Sequence, residues 1–295
     1  SRNVVYGLLT EELAFKGLIF TDALAMKGVA GNKSVCLQAL QAGNDMVLAP
    51  RRLKEEMDAV LEAVEKGELP EEEINAKCRK VLTYKYILGL ERKPFVKLSG
   101  LGTRINTPQT RDLISRLNLA AITVLNNKND VLPLHPDLKE AAILNVGKPE
   151  EIEPFDRKMK KYTSFARFQL RKDLPEAEQQ KLRDSLAAYR RVIVTVTEQR
   201  LAPYQSFFAK FAPESPVIYV FYTPAKSMLQ IQRAVSAAEA VVLAHASRDD
   251  VQERVADLLF GKATADGRLS ASIGGLFPTG SGVTITPHTP FHFVP

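Results

Sequence analysis

The chain has no tryptophan and only 2 cysteines among its 295 residues. Two thiols, Cys36 and Cys78, cannot build a disulfide framework or a thiolate zinc site, and both fall in segments that read as helix. No apolar run approaches the roughly 18 residues that a membrane span needs, so no span is expected. No segment is of low complexity, and nothing repeats at a fixed period. Histidine is scarce: the 4 residues are His135, His245, His288 and His292. The last two have a spacing seen in metal sites, but Pro287 and Pro290 make their segment extended, and no carboxylate or thiol lies near. A packing or surface role is preferred, and no metal site is expected.

What is present is ordinary for a globular protein. About 45% of residues are hydrophobic and 25% charged, which excludes disorder, collagen and coiled coil as the main theme. The length suits one large domain or two ordinary ones. The net charge of +6 raises the question of nucleic acid. The densest basic stretches, Arg157-Lys158-Met159-Lys160-Lys161 and Arg51-Arg52-Leu53-Lys54, sit among acidic residues without interleaved aromatics for base stacking. They read as solvated faces, and no nucleic-acid partner is expected. At the start, Ser1 is not an initiator methionine and no basic patch leads into an apolar signal core. Asn3-Val4-Val5-Tyr6-Gly7-Leu8-Leu9 reads as the middle of a helix, which suggests a piece of a longer protein.

Residues 4–13 have helical spacing, and Leu18-Ile19-Phe20 is a short apolar run that reads as a strand buried on both faces, ending at Thr21-Asp22. A helix over 34–42 and a second buried strand, Met46-Val47-Leu48-Ala49, follow, then an amphipathic helix over 53–66. Pro70-Glu71-Glu72-Glu73 opens another helix that stops at Gly89, with acidic residues at the positive end of its dipole. Two parallel strands with helical crossovers tile barrels and doubly wound sheets but close neither, so residues 1–90 read as an incomplete domain.

Residues 91–105, with Pro94, Gly100 and Gly102, read as a linker. After it a helix begins near Thr107-Pro108 and runs to about Leu119. Strands are expected at 122–125, 142–146, 163–169, 192–197, 217–222 and 241–246, with helices at 175–189, 204–211, 227–237 and 250–259. That alternation predicts an α/β fold with a mostly parallel sheet covered on both faces. The tail from Thr279 reads as an extended strap.

Asp22 is the leading candidate for chemistry. It stands where a buried strand meets its loop, the edge at which α/β sheets and barrels put their ligands. A carboxylate there can serve as nucleophile, general base or metal ligand. Spacing alone leaves equally open that Asp22 caps a helical turn begun by Ala23-Leu24-Ala25-Met26.

The run from Leu9 through Phe20-Thr21-Asp22-Ala23-Leu24-Ala25-Met26-Lys27-Gly28-Val29 resembles the segment of glycoside hydrolase family 3 around its nucleophile. Ala42-Gly43-Asn44-Asp45-Met46 is similar to the family's last barrel strand, Arg79-Lys80-Val81-Leu82, Lys85-Tyr86 and Leu88-Gly89-Leu90 to its closing helix, and Leu259-Phe260-Gly261-Lys262-Ala263-Thr264-Ala265-Asp266-Gly267-Arg268-Leu269 to its second-domain signature. The resemblance implies the C-terminal part of a TIM (β/α)8 barrel over 1–90, then an α/β/α sandwich domain over 106–295. Asp-Ala-Leu-x-Met resembles the β-N-acetylglucosaminidase branch. The β-glucosidase branch usually carries a tryptophan after the nucleophile, and this chain has none. The resemblance makes Asp22 the nucleophile of a retaining hydrolase, with Met26 at the substrate, which would be a terminal β-linked N-acetylglucosaminide. No cofactor is implied.

The acid/base partner is not found. In the hexosaminidase branch it resembles a His–Asp pair in a His- and Gly-rich loop that this chain lacks. Glu198 lies broadly where the β-glucosidase branch has a glutamate, but Thr197-Glu198-Gln199-Arg200 does not match its pattern. Low activity of the chain alone is therefore expected. Asn44 and Asp45 read as framework hydrogen-bonders rather than substrate contacts. Gly261-Lys262-Ala263-Thr264 is half a phosphate loop without the upstream glycine, and Asn32-Lys33-Ser34 is a glycosylation sequon by pattern only. The competing reading is a non-catalytic interaction or dimerisation module, and a third is β-glucosidase-type specificity. Oligomeric state is left open, and localisation leans to periplasmic or exported.

Overall fold

The computed structural model describes residues 1–26, 34–92, 95–135, 141–172, 174–211 and 216–287. Asn32 and Lys33 of the sequon, and His288 and His292, lie outside them. The chain divides into two compact units, Ser1–Leu101 and Gly102–Pro295.

The first unit opens on a helix, Asn3–Glu12. Its turns are wider than an α-helix's: the Leu13 N–H reaches back to Leu8 O, and the Thr10 hydroxyl donates to Val5 O. Next come β1 (Phe20–Ala23), α1 (Val35–Gln41), β2 (Met46–Leu48), α2 (Leu53–Glu65) and α3 (Glu71–Ile87). β1 and β2 form a two-stranded parallel sheet with Phe20 opposite Met46 and Ala23 opposite Leu48.

Local chemistry explains the helix boundaries. The Ser34 hydroxyl accepts the Leu37 N–H at 3.1 Å and caps α1. Pro70 precedes α3, whose first turn carries Glu71, Glu72 and Glu73. Gly89 ends it at φ +71°, a backbone that favours glycine.

The expectation that both strands are buried on both faces does not hold. Ile19 is buried, but Phe20 is 56% and Leu48 51% exposed. A continuous apolar run is covered twice only where helices lie on both faces and strands on both edges. Among the described residues β1 and β2 pair only with each other.

In the second unit a short helix, α4 (Leu101–Ile105), forms within the stretch read as a linker and runs across the unit boundary. Then follow α5 (Pro108–Ala120), β3 (Thr123–Asn127), β4 (Ala141–Val146), α6 (Glu153–Met159), β5 (Ala166–Leu170), α7 (Glu176–Ala187), β6 (Arg191–Val196), α8 (Gln205–Lys210), β7 (Val217–Phe221), α9 (Gln232–Ala237), β8 (Ala240–Leu243) and α10 (Asp249–Leu259). The six strands lie in the order β3-β8-β7-β6-β4-β5, with β3 antiparallel to β8 and the rest parallel.

Alternate residues of these strands enter two cores. Ile143, Ile193, Ile218 and Val242 pack with Phe155 and Met159 of α6 and Val251 and Val255 of α10. Leu144, Val194, Tyr219 and Leu243 pack with Leu186 of α7, Phe207 and Phe208 of α8 and Val235 of α9. The result is a three-layer α/β/α arrangement.

Two local differences have clear causes. α6 was not expected, because its span is dominated by charge. Phe155 and Met159, four apart on one helix face, are fully buried, while Arg157 pairs with Glu253 at 3.3 Å and Lys158 with Asp257 at 2.9 Å. The strand expected over 241–246 ends at Leu243, because the chain turns at His245 (φ +63°), where the Ala246 N–H donates to Ala244 O at 2.7 Å.

Candidate functional site

Asp22 lies inside β1, third of its four residues, at the C-terminal end of the small parallel sheet. The N-cap alternative does not form. The described residues after Ala23 make a turn, with the Met26 N–H on Ala23 O at 3.2 Å, and Asp22 Oδ1 accepts the N–H of its own neighbour Ala23 at 2.7 Å. Asp22 Oδ2 has no hydrogen-bond partner among the described residues. The carboxylate is exposed, with one oxygen held and one free, an arrangement that suits attack or proton abstraction.

The segment beneath it is fastened to β2. The Leu48 N–H donates to the Thr21 hydroxyl at 2.9 Å, the Leu24 N–H donates to Leu48 O at 2.9 Å, and Arg51 Nε donates to Ala25 O at 2.8 Å. These bonds hold residues 21–25, beside a cavity of ≈ 450 Å³ lined by Thr21, Asp22, Met26, Gln38 and Asn44, among others. Asp22 and Met26 thus share one cavity, within the size range of small-molecule sites.

At the opposite end of the strands, Asp45 is framework. Its Oδ2 accepts the Ile19 N–H at 2.9 Å and the Lys80 ammonium at 2.7 Å, joining the start of β1 to α3. Asn44 Nδ2 donates to Ala39 O at 2.8 Å. Both behave as hydrogen-bonders of the scaffold, although Asn44 also reaches the Asp22 cavity. Nearby, Glu56 anchors the α1 N-terminus by accepting the Ser34 hydroxyl and the Cys36 N–H. Burial works to raise the Glu56 pKa, but those hydrogen bonds outweigh it and hold the carboxyl below its usual value. Burial, then the Glu56 charge, pushes the Cys36 thiol up to about 11.

The other candidates occupy the second unit. Glu198 follows β6; its Oε1 accepts the Arg200 N–H at 2.9 Å, which turns the carboxylate onto its own loop. Gly261-Lys262 closes α10: the Gly261 N–H goes to Leu258 O and the Lys262 N–H to Asp257 O, so these amides are spent on the helix end and cradle no phosphate. Among the described residues no cluster of three His, Cys, Asp or Glu side chains could hold a metal, and no helix is long and apolar enough to cross a membrane. Sequence reasoning missed the cavity around His245, because its residues come from three separate loops.

An exposed carboxylate at the end of a parallel strand, in a cavity of ligand size, defines a candidate hydrolytic or binding site on an α/β scaffold. Residues 1–84 match the model of the Glycosyl hydrolase family 3 N terminal domain. The chain is 32% identical over 151 residues to the lysosomal beta glucosidase of Dictyostelium discoideum, a match covering 47% of this chain and 18% of that protein. It is similar in structure to the beta-glucoside phosphorylase BglX, with TM-score 0.69, 19% identity and coverage of 89% of this chain and 50% of the other. It is also similar to a family 3 beta-N-acetylglucosaminidase from Paenibacillus sp. str. FPU-7, with TM-score 0.63, 21% identity and coverage of 90% and 53%. These two likenesses bear on the fold, and the chain spans about half the length of either solved structure. The family match thus rests on residues 1–84, and the chain spans less than a quarter of the length of the Dictyostelium relative.

Proposed function

We propose that residues 1–90 are the last βα units of a family 3 (β/α)8 barrel, and that Asp22 is the nucleophile of a retaining glycosidase acting on terminal β-linked N-acetylglucosamine. The observation that carries this reading is Asp22 itself, an exposed carboxylate at a strand's C-terminal end, sharing a cavity with Met26. The ionised carboxylate attacks the anomeric carbon, expels the leaving group and holds the sugar as a covalent ester that water then cleaves, giving net retention. The Asp22-Ala23-Leu24-Ala25-Met26 pattern and the absence of tryptophan favour the acetamido sugar, and cell-wall muropeptides are a fitting source.

The names of relatives favour a second reading in one respect: the Dictyostelium relative is a beta glucosidase. Comparing 4-nitrophenyl N-acetyl-β-glucosaminide with 4-nitrophenyl β-glucoside distinguishes the two. In the hexosaminidase branch the acid resembles a histidine in a His- and Gly-rich loop, and residues 1–101 contain no histidine. General acid catalysis contributes roughly 10²–10⁴-fold, so the chain alone should hydrolyse either glycoside slowly. A version extended upstream to eight barrel strands is expected to turn over the acetamido substrate and to lose that activity on Asp22→Asn. Inactivity of the extended protein on both substrates contradicts the proposal.

A further inference from the structure

The second unit has its own cavity at the C-terminal edge of β7 and β8, the edge where open parallel sheets take ligands. It encloses ≈ 430 Å³ and includes Thr123, Lys226, His245, Arg268, Ser270 and Ile273 in its wall. Three features make it more than a surface dent.

The first is backbone geometry. His245 follows β8 at φ +63°, in a turn closed by the Ala246 N–H on Ala244 O. A non-glycine residue in that region is strained, and such strain gathers where a side chain must be aimed. Here it sends an imidazole to the cavity instead of continuing the strand.

The second is rigidity. Arg268 and Ser270 lie on a strap pinned by the Leu269 N–H on Ser281 O at 2.9 Å and the Gly280 N–H on Leu269 O at 2.8 Å. The Arg268 guanidinium is fixed by Asp266 O, Gly267 O and the Thr284 hydroxyl, none of which neutralises it. Lys226 sits on the 3-10 helix Ala225–Ile231 that follows β7.

The third is unspent polarity of one sign. Lys226 Nζ, the His245 imidazole and the Ser270 hydroxyl have no hydrogen-bond partner among the described residues, and neither Lys226 nor Arg268 has a carboxylate partner. The wall contains no aspartate or glutamate. Two cations, an imidazole and a free hydroxyl around a small concavity match an anionic head group with a polar body, while Ile273 and Leu229 supply an apolar side.

We propose that this cavity binds a small hydroxylated anion, a sugar-sized molecule bearing a carboxylate or a phosphate, independently of any chemistry at Asp22. Lys226 and Arg268 would take the charge, and His245 and Ser270 the neighbouring hydroxyls.

The test is an NMR titration of the full chain, read on the His245 imidazole so that the site is identified, with that signal assigned by its loss in His245→Asn. Asparagine tolerates the positive φ, so the turn is kept. Glucuronate and glucose 6-phosphate are the probes, with glucose and inorganic phosphate as controls. The expected result is a saturable shift of the His245 signal with at least one of the two anionic sugars; which one responds names the head group. Both controls should bind at least about tenfold more weakly. Lys226→Ala, an exposed position whose loss should leave the thermal midpoint unchanged, should weaken binding by about tenfold, the scale of one charge-assisted hydrogen bond. No shift with either anionic sugar, equal binding of glucose or inorganic phosphate, or undiminished binding in Lys226→Ala would overturn the proposal.

Discussion

The two units of this chain are stabilised by different physics. In Gly102–Pro295 every residue of β4, β7 and β8 is buried, and both faces of the sheet are covered by helices. In Ser1–Leu101 no residue of β1 or β2 is buried, and the 17-residue α3 buries none of its side chains. The first unit has only a small apolar core, Ile19, Cys36, Ala42, Ala63 and Leu69, and adds polar contacts: the Ser34 cap, the Lys54–Asp58 and Lys77–Glu73 pairs one turn apart, and the Asp45–Lys80 bridge. The exposed Lys54–Asp58 pair contributes about a few tenths of a kcal/mol. Secondary structure can therefore be fully specified by caps and pairs while the tertiary stability of the same segment is left to surfaces it does not bury.

The largest expected effect lies in the second unit. Phe155→Ala removes a fully buried ring that meets Tyr222 edge-on at 6.2 Å, and should cost about 3–5 kcal/mol. Phe20→Ala, at an exposed ring of the first unit, should cost less than about 1 kcal/mol. Urea denaturation of both variants checks the contrast, and equal losses would break it. Hydrogen exchange sharpens it: amides of β4, β6 and β7 should exchange only through global unfolding, whereas those of β1 and β2 should exchange through smaller openings.

A smaller effect is expected at Glu56. Replacing it with alanine unties the α1 N-terminus and should cost the first unit about 1–2 kcal/mol. Its sign with pH follows from the lowered folded-state pKa. The stabilisation is present above the unfolded carboxyl value of roughly 4.3 and is lost as pH falls through the lower folded value. Acid should therefore loosen α1 in the native chain but leave the Glu56→Ala variant less affected, as exchange at the Leu37 amide would report. Next comes thiol reactivity. Iodoacetamide at pH 8 should alkylate exposed Cys78 and spare buried Cys36, whose thiol lies near 11. The smallest effect belongs to Asp22→Asn, whose exposed carboxylate among the described residues hydrogen-bonds only the adjacent amide, and it should change stability by less than about 0.5 kcal/mol.

Much of this was legible in the residues. Runs such as Val192-Ile193-Val194 and Val217-Ile218-Tyr219-Val220 are apolar on both faces, and they became central strands. α6 was not legible, because its two core residues are spaced among charges whose partners lie on α10, far away in sequence. Nor could apolar content reveal that Phe20 and Leu48 face outward, since a run does not say how many layers cover it. At the candidate site, Asp22 and Met26 stood out through the wording of one segment. The His245 cavity did not, because Lys226, His245 and Arg268 come together only when three loops meet at one sheet edge.

The central claim is that Asp22 is a glycosidic nucleophile, and covalent trapping tests it most directly. A barrel-complete version of the chain would be incubated with an activated fluorosugar, whose glycosyl ester forms faster than it hydrolyses, then digested and mapped by mass spectrometry. The account predicts the added sugar on the peptide containing Asp22, and no label in Asp22→Asn. A sugar ester on any other residue, or undiminished labelling of the Asp22→Asn protein, would contradict it.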